Sequence, residues 1–156
     1  MQLITNEMYF YSAINLIQAA QKEILIINFK MESPIGKKKQ KLVALYNALE
    51  KKAAAGISIK ILLHGLSGQN TIARANITTA LFLKKKSINC RTFKNWQMIH
   101  AKVLISDNNK MILGSHNWST RALSYNLETS ILILDPKIIN QAQDFFFTAW
   151  ENASNF

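Results

Sequence analysis

The chain has 156 residues, of which 49% are apolar, 19 are basic, 9 are acidic and one is a cysteine. That length and apolar content suit one domain with a closed core and exclude a disordered chain, while a lone cysteine excludes an intrachain disulfide and a multi-cysteine metal cluster. The net charge of +10 is concentrated: residues 30–110 hold 16 basic and 3 acidic residues, with runs at Lys37–Lys41 and Lys84–Lys86, which points to a polyanion, either nucleic acid or an anionic membrane surface, although lysine runs alone also suit a solvated face.

In chain order, apolar Phe10, Ala13, Ile14 and Ile17 recur at helical spacing, which predicts a helix over Glu7–Ala20 with Thr5 or Asn6 as its cap. Residues 23–29 form a nearly continuous apolar run and read as a buried strand. Pro34 and Gly36 mark a loop, and a helix follows over Lys38–Ala55, ended by Gly56. Ile57–His64 reads as a strand, Gly65–Asn70 as a Gly/Ser loop, Thr71–Lys86 as a helix and 88–93 as a strand carrying Cys90, a buried structural thiol. Two further strands, Gln97–Ser106 and Lys110–Ser115, are joined by a tight turn whose paired asparagines tolerate positive φ. After a short irregular or helical segment, Leu127–Leu134 is the last expected strand. Asp135 and Pro136 then start a helix running to about Asn152.

This alternation predicts a single domain over residues 1–156. Its expected class is α/β, an α+β sandwich with a mixed, mostly parallel β-sheet and helices on both faces. No apolar stretch approaches the roughly 20 residues that span a bilayer. The first residues also lack a secretory pattern, so a cytoplasmic location is expected.

The chemistry concentrates between Met98 and Ser119. Strand side chains repeat with period two, so His100 and Lys102 share one face, about 7 Å apart, while Ile99, Ala101, Val103 and Ile105 face the core. An imidazole can act as nucleophile or proton carrier near neutral pH, and an ammonium neutralises phosphoryl oxygens. Ser115 and Asn117 follow the neighbouring strand, where their polar groups can reach the same phosphate, and Gly114 permits close backbone approach. A lone H-x-K on a strand, or a lone G-S-x-N at a turn, is usually structural. Together, His100, Lys102, Asp107, Gly114, Ser115 and Asn117 specify H-x-K-x4-D-x6-G-S-x-N across a strand–turn–strand.

That pattern resembles the complete HKD signature of the phospholipase D superfamily. The element order from Thr5 to Trp150 resembles one catalytic domain of it, most similar to its small single-motif bacterial endonucleases. The resemblance implies metal-free, cofactor-free phosphodiester cleavage. One histidine attacks phosphorus to form a phosphohistidine, and a second, from another copy of the motif, protonates the leaving oxygen. Carried over, His100 is the nucleophile or its acid/base counterpart, Lys102 and Asn117 are phosphate ligands, and Ser115 is an auxiliary one. Glu128 orients the imidazole, while Asp107 and Gly114 are structural. Only one motif is present, so two copies of the chain are needed, which implies a homodimer with the site on its two-fold axis.

Lys94 and Arg121 are candidate phosphate contacts at a groove rim. His116 is a candidate substrate contact at the variable motif position. Trp96 and Trp118 weigh base stacking against ordinary packing, with packing favoured. His64 departs from the aspartate that relatives carry near that position.

The leading functional expectation is a nonspecific endonuclease acting on DNA, with RNA as the other nucleic-acid substrate. The alternatives are a hydrolase of an anionic phospholipid such as cardiolipin, which calls for an apolar patch near the site, and a nucleic-acid-binding module without catalysis.

Overall fold

The computed structural model of the chain describes residues 1–65, 70–93 and 98–155. Its elements are β1 (Gln2–Thr5), α1 (Met8–Ala19), β2 (Glu23–Asn28), α2 (Gln40–Ala54), β3 (Ser58–His64), α3 (Thr71–Lys85) and β4 (Asn89–Phe93), followed by β5 (Val103–Ser106), β6 (Lys110–Gly114), α4 (Thr120–Ser124), β7 (Thr129–Ile133), α5 (Pro136–Glu151) and β8 (Ser154–Asn155).

The eight strands form one mixed sheet in the order β1-β7-β6-β5-β2-β3-β4-β8. The expectation of a mostly parallel sheet is corrected, because only β2–β3 and β3–β4 pair in parallel and the other five pairings are antiparallel. Parallel neighbours require a helical crossover, which α2 and α3 supply. In the second half of the sheet the tight connection between β5 and β6 forces antiparallel pairing, whereas β6 reaches β7 through residues 115–128 and α4, and β2 meets β5 by non-local pairing. The added edge strands β1 and β8 pair antiparallel as well.

Strand alternation divides the interior into two cores. Ile24, Ile26, Ile59, Ile61, Leu63, Leu104 and Ile112 pack with residues of α1, α2 and α3, including Ala13, Ile17, Leu45, Leu49 and Leu83. Leu25, Ile27, Leu62, Val103, Ile105 and Met111 pack on the opposite face with Ile139, Phe146 and Trp150 of α5. Cys90 lies in the first core, its thiol pKa pushed up to about 12 by burial, so it is an unreactive packing residue.

Local chemistry places the element ends. Asn70 caps α3 by accepting from the N–H groups of Ile72 and Ala73, and Asp135 caps α5 by accepting from Lys137 N–H at 2.9 Å. The expected side-chain cap of α1 is absent: the position is Glu7, without a side-chain cap bond, and Asn6 (φ 47°) instead accepts from Glu128 N–H at 3.0 Å. The hairpin turn has positive φ at Asp107 and Asn108, both 52°, rather than at the two asparagines. Asn109 N–H donates to Ser106 O at 3.1 Å, closing a tight turn inside the three-residue loop 107–109 that joins the paired residues Ser106 and Lys110. The first hairpin strand is shorter than expected. It begins at Val103, because β2 offers β5 partners only from Ile24 to Ile27.

A candidate phosphodiester site at one end of the sheet

Strands β2, β3 and β4 all end on the same edge of the sheet, the position where α/β folds gather ligand chemistry. Because β5 is antiparallel to β2, the approach to β5 lies at that edge too, and so do the end of β6 and the start of β7. His100, Lys102, Ser115, Asn117 and Glu128 therefore converge there, while Asp107 sits at the opposite end.

His100 is exposed and stands just before β5. Lys102 is buried, at 7% exposure. Its Nζ donates to His100 O at 2.6 Å and lies 3.1 and 3.2 Å from His100 Nδ1 and Nε2. Near-equal distances to both ring nitrogens put the ammonium over the imidazole face, not along either lone pair, so both nitrogens stay directed elsewhere. The same Nζ is 5.2 Å from the centroid of the Phe29 ring. Burial pulls the Lys102 pKa below the ordinary lysine value, against the opposing pull of Glu128.

Ser115 and Asn117 alternate with His116 and Trp118, the first pair outward and the second inward. Asn117 Oδ1 accepts from Lys30 N–H at 3.1 Å, which fixes the amide with Nδ2 as the end left to donate. That Lys30 N–H also reaches Asn28 Oδ1 at 3.2 Å, and Asn28 Nδ2 donates to His116 O. The Ser115 hydroxyl donates in a very short bond to Glu128 Oε2 and accepts from Thr129 N–H at 3.1 Å. Asn126 Nδ2 holds the other Glu128 oxygen at 2.8 Å. Within one chain the Glu128 carboxylate is thus hydrogen-bonded to Ser115 and Asn126; no hydrogen bond joins it to its own His100 among the described residues.

The candidate substrate contact His116 belongs to the interior instead, and so does Trp118, in line with the packing favoured for it. His116 is fully buried and stacked on Tyr9 at 4.3 Å. Its Nε2 lies 3.1 Å from Asn6 O, which can only accept. The ring is therefore the Nε2–H tautomer, and its Nδ1 accepts from the Ser130 hydroxyl at 2.8 Å. Burial lowers its pKa despite Asn6 and Glu128, so it stays neutral. Trp118 is also fully buried, donating to Tyr9 Oη at 2.9 Å and meeting Tyr46 edge-on, which excludes base stacking. Arg121 is exposed on α4. Lys94 and Trp96 lie outside the described residues.

Asp107 and Gly114 have structural surroundings. The Asp107 carboxylate accepts from Gln21, Lys22 and Glu23 N–H at 2.8, 2.8 and 3.0 Å, tying the turn to the start of β2. Its partial burial would raise the pKa, but the three N–H donors and the Lys22 charge hold it below the ordinary value. A Cβ on Gly114 would overlap the Cα and side chain of Ser130, so the close approach this glycine permits is to β7.

Sequence reasoning missed Asn6, Asn28, Phe29 and Lys30. The signal was present in the residues closing β2, since the carboxyl end of a parallel strand is where such groups collect.

The family model described as cardiolipin synthase, PLD-like domain, matches residues 13–150. The chain belongs to this phospholipase D-like family. Cardiolipin synthase 1 of Staphylococcus epidermidis is 26% identical over 136 residues, 87% of this chain and 26% of that protein. The chain thus spans about a quarter of the length of the curated relatives it matches. Among solved structures, the phospholipase D family member Nuc from Salmonella typhimurium superimposes with a TM-score of 0.83 at 21% identity, covering 99% of this chain and 96% of that one. NucT from Helicobacter pylori gives 0.78 at 20% identity, covering 99% and 98%. The phospholipase D-like fold therefore accounts for essentially the whole chain, site edge included.

Proposed function

We propose that the chain is a metal-independent phosphodiesterase whose substrate is nucleic acid, DNA foremost, cleaved without sequence specificity. The observation that carries the reading is the open His100 imidazole beside the buried Lys102 ammonium, with the Asn117 amide pinned so that Nδ2 is free to donate. A ring nitrogen of His100 attacks phosphorus, the P–O bond to the leaving group breaks, and a phosphohistidine forms. The second imidazole is His100 of another copy, which protonates the leaving oxygen and then takes a proton from the water that splits the P–N bond. Lys102, Asn117 and Ser115 hold the phosphoryl oxygens as charge develops. Because Glu128 does not reach its own His100, its histidine-orienting role is assigned across the two-fold axis. Of the 30–110 basic block, Lys30 and Lys37–Lys39, in the segment between β2 and α2 at the site end, hold the phosphate backbone by counterion release, with no base-reading element required.

The nearly complete mutual coverage with Nuc and NucT supports a domain of the single-motif kind. A second reading, hydrolysis of an anionic phospholipid, is favoured by the cardiolipin synthase relatives and by one surface feature. Leu3, Ile131 and Leu113 form a cross-strand row that is 62%, 40% and 42% exposed, beside the Gly114 end of β6.

The test is incubation of the protein with labelled single- and double-stranded DNA, RNA and cardiolipin vesicles in EDTA, beside His100→Ala. Cleavage of DNA by the wild type alone is expected. Cleavage of cardiolipin only selects the lipid reading, and activity surviving His100→Ala removes the assigned nucleophile. Sedimentation of the active species as a monomer removes the shared site.

A further inference from the structure

Behind the site, three rings form a column. His64 stacks on Phe29 at 5.4 Å with planes 27° apart, and Phe29 meets His100 at 4.7 Å. Lys102 Nζ lies 5.2 Å from the centre of the Phe29 ring, within cation–π reach. The column joins the ends of β2 and β3 to the approach of β5. Its base is clamped by one side chain: buried Asn76 on α3 donates through Nδ2 to Phe29 O at 2.9 Å and to His64 O at 2.8 Å, while its Oδ1 accepts from Met31 N–H at 2.9 Å.

His64 is 4% exposed and neither ring nitrogen has a hydrogen-bond partner among the described residues. A buried imidazole without partners is costly and calls for an explanation. Among the described residues no polar group holds this ring, and the face of Phe29 stacks on it. His100 contributes to lowering its pKa, after burial itself, so it remains a neutral ring beneath a cationic site.

We propose that Phe29 is a positioning residue for the His100–Lys102 pair, with His64 as the rigid backing of its ring. The inference rests on the phosphodiesterase reading for its kinetic consequence but not for its structural one. Phe29 sets the tilt of the nucleophilic imidazole and gives the Lys102 ammonium an electron-rich face while substrate is absent. It touches neither phosphorus nor its oxygens, so it acts through His100 and Lys102. Among the described residues, the titratable groups at the column are His100, His64 and Lys102, with Glu128 reaching it through Lys102.

The experiment compares Phe29→Leu and Phe29→Met, which remove the ring, with Phe29→Tyr, which keeps it, and His64→Leu with His64→Phe. Turnover is measured on bis(p-nitrophenyl) phosphate, and the His100 imidazole is titrated by NMR in the free protein. The ringless Phe29 variants are expected to lose roughly 10- to 100-fold in kcat with KM within about threefold, and to displace the His100 titration. Phe29→Tyr and His64→Phe should restore both, whereas His64→Leu should fall between. Wild-type kcat and an unmoved His100 titration in either folded ringless variant would overturn the proposal, as would Phe29→Tyr behaving like Phe29→Leu. If the wild type cleaves no phosphodiester, the functional reading fails and the NMR titration alone decides this one.

Discussion

The two ends of the β5–β6 hairpin carry the same motif and treat their polar groups in opposite ways. At the turn, both Asp107 oxygens are held by backbone N–H donors, three in all. At the open end, His100 is exposed, Lys102 rests its ammonium on two ring faces, and Asn117 uses its oxygen while its nitrogen has no partner among the described residues. A saturated carboxylate contributes to stability. An unsaturated cluster around a desolvated cation costs stability and is preorganised for an incoming anion. One end locks the strands in register, and the other spends that rigidity on geometry.

The sharpest way to break this contrast is Lys102→Ala, expected to lower phosphodiester turnover about 10³-fold, roughly 4 kcal/mol, with thermal unfolding unchanged or raised because a buried cation is removed. A large drop in Tm would place Lys102 with the structural end. Gly114→Ala should destabilise by about 3 kcal/mol, since the added Cβ meets the backbone of β7 rather than a flexible tip; denaturant melts that match the wild type would contradict it. Asp107→Asn should cost about 2 kcal/mol while leaving turnover per folded molecule intact. Because the folded pKa of Asp107 is depressed, its contribution is complete above about pH 4 and is lost as pH falls through the folded value. The variant should lack that part of the wild type's acid destabilisation, as followed by circular dichroism. Arg121→Ala should have the smallest effect, less than about tenfold on nucleic-acid affinity, with a shallower dependence on log salt.

Periodicity made the helices and inner strands legible, because α1, α2, α3 and α5 each bury one face, β2 is a nearly continuous apolar run, and β3 alternates before ending in an apolar run. The edge strands β1 and β8 escaped because they are short, mostly exposed, and defined by partners distant in sequence. The same non-local pairing reversed the expected balance of parallel and antiparallel ladders. At the site, spacing identified the motif residues. Direction did not follow from spacing for His116 and Trp118, whose burial depends on Tyr9 and Tyr46 from other elements. Phe29 and His64 were invisible as partners because they approach His100 only through the sheet order.

The alternation from Ser115 to Trp118 has a genetic consequence. Its inward residues anchor the segment in the core, and its outward residues face the site, so fold and chemistry are written on separate letters of the same word. Substitution of Asn117 or His100 leaves the anchors in place and should yield a folded, assembly-competent but inert chain. If two copies share one site, such a chain poisons every live partner it joins, and a single mutant allele would act dominantly.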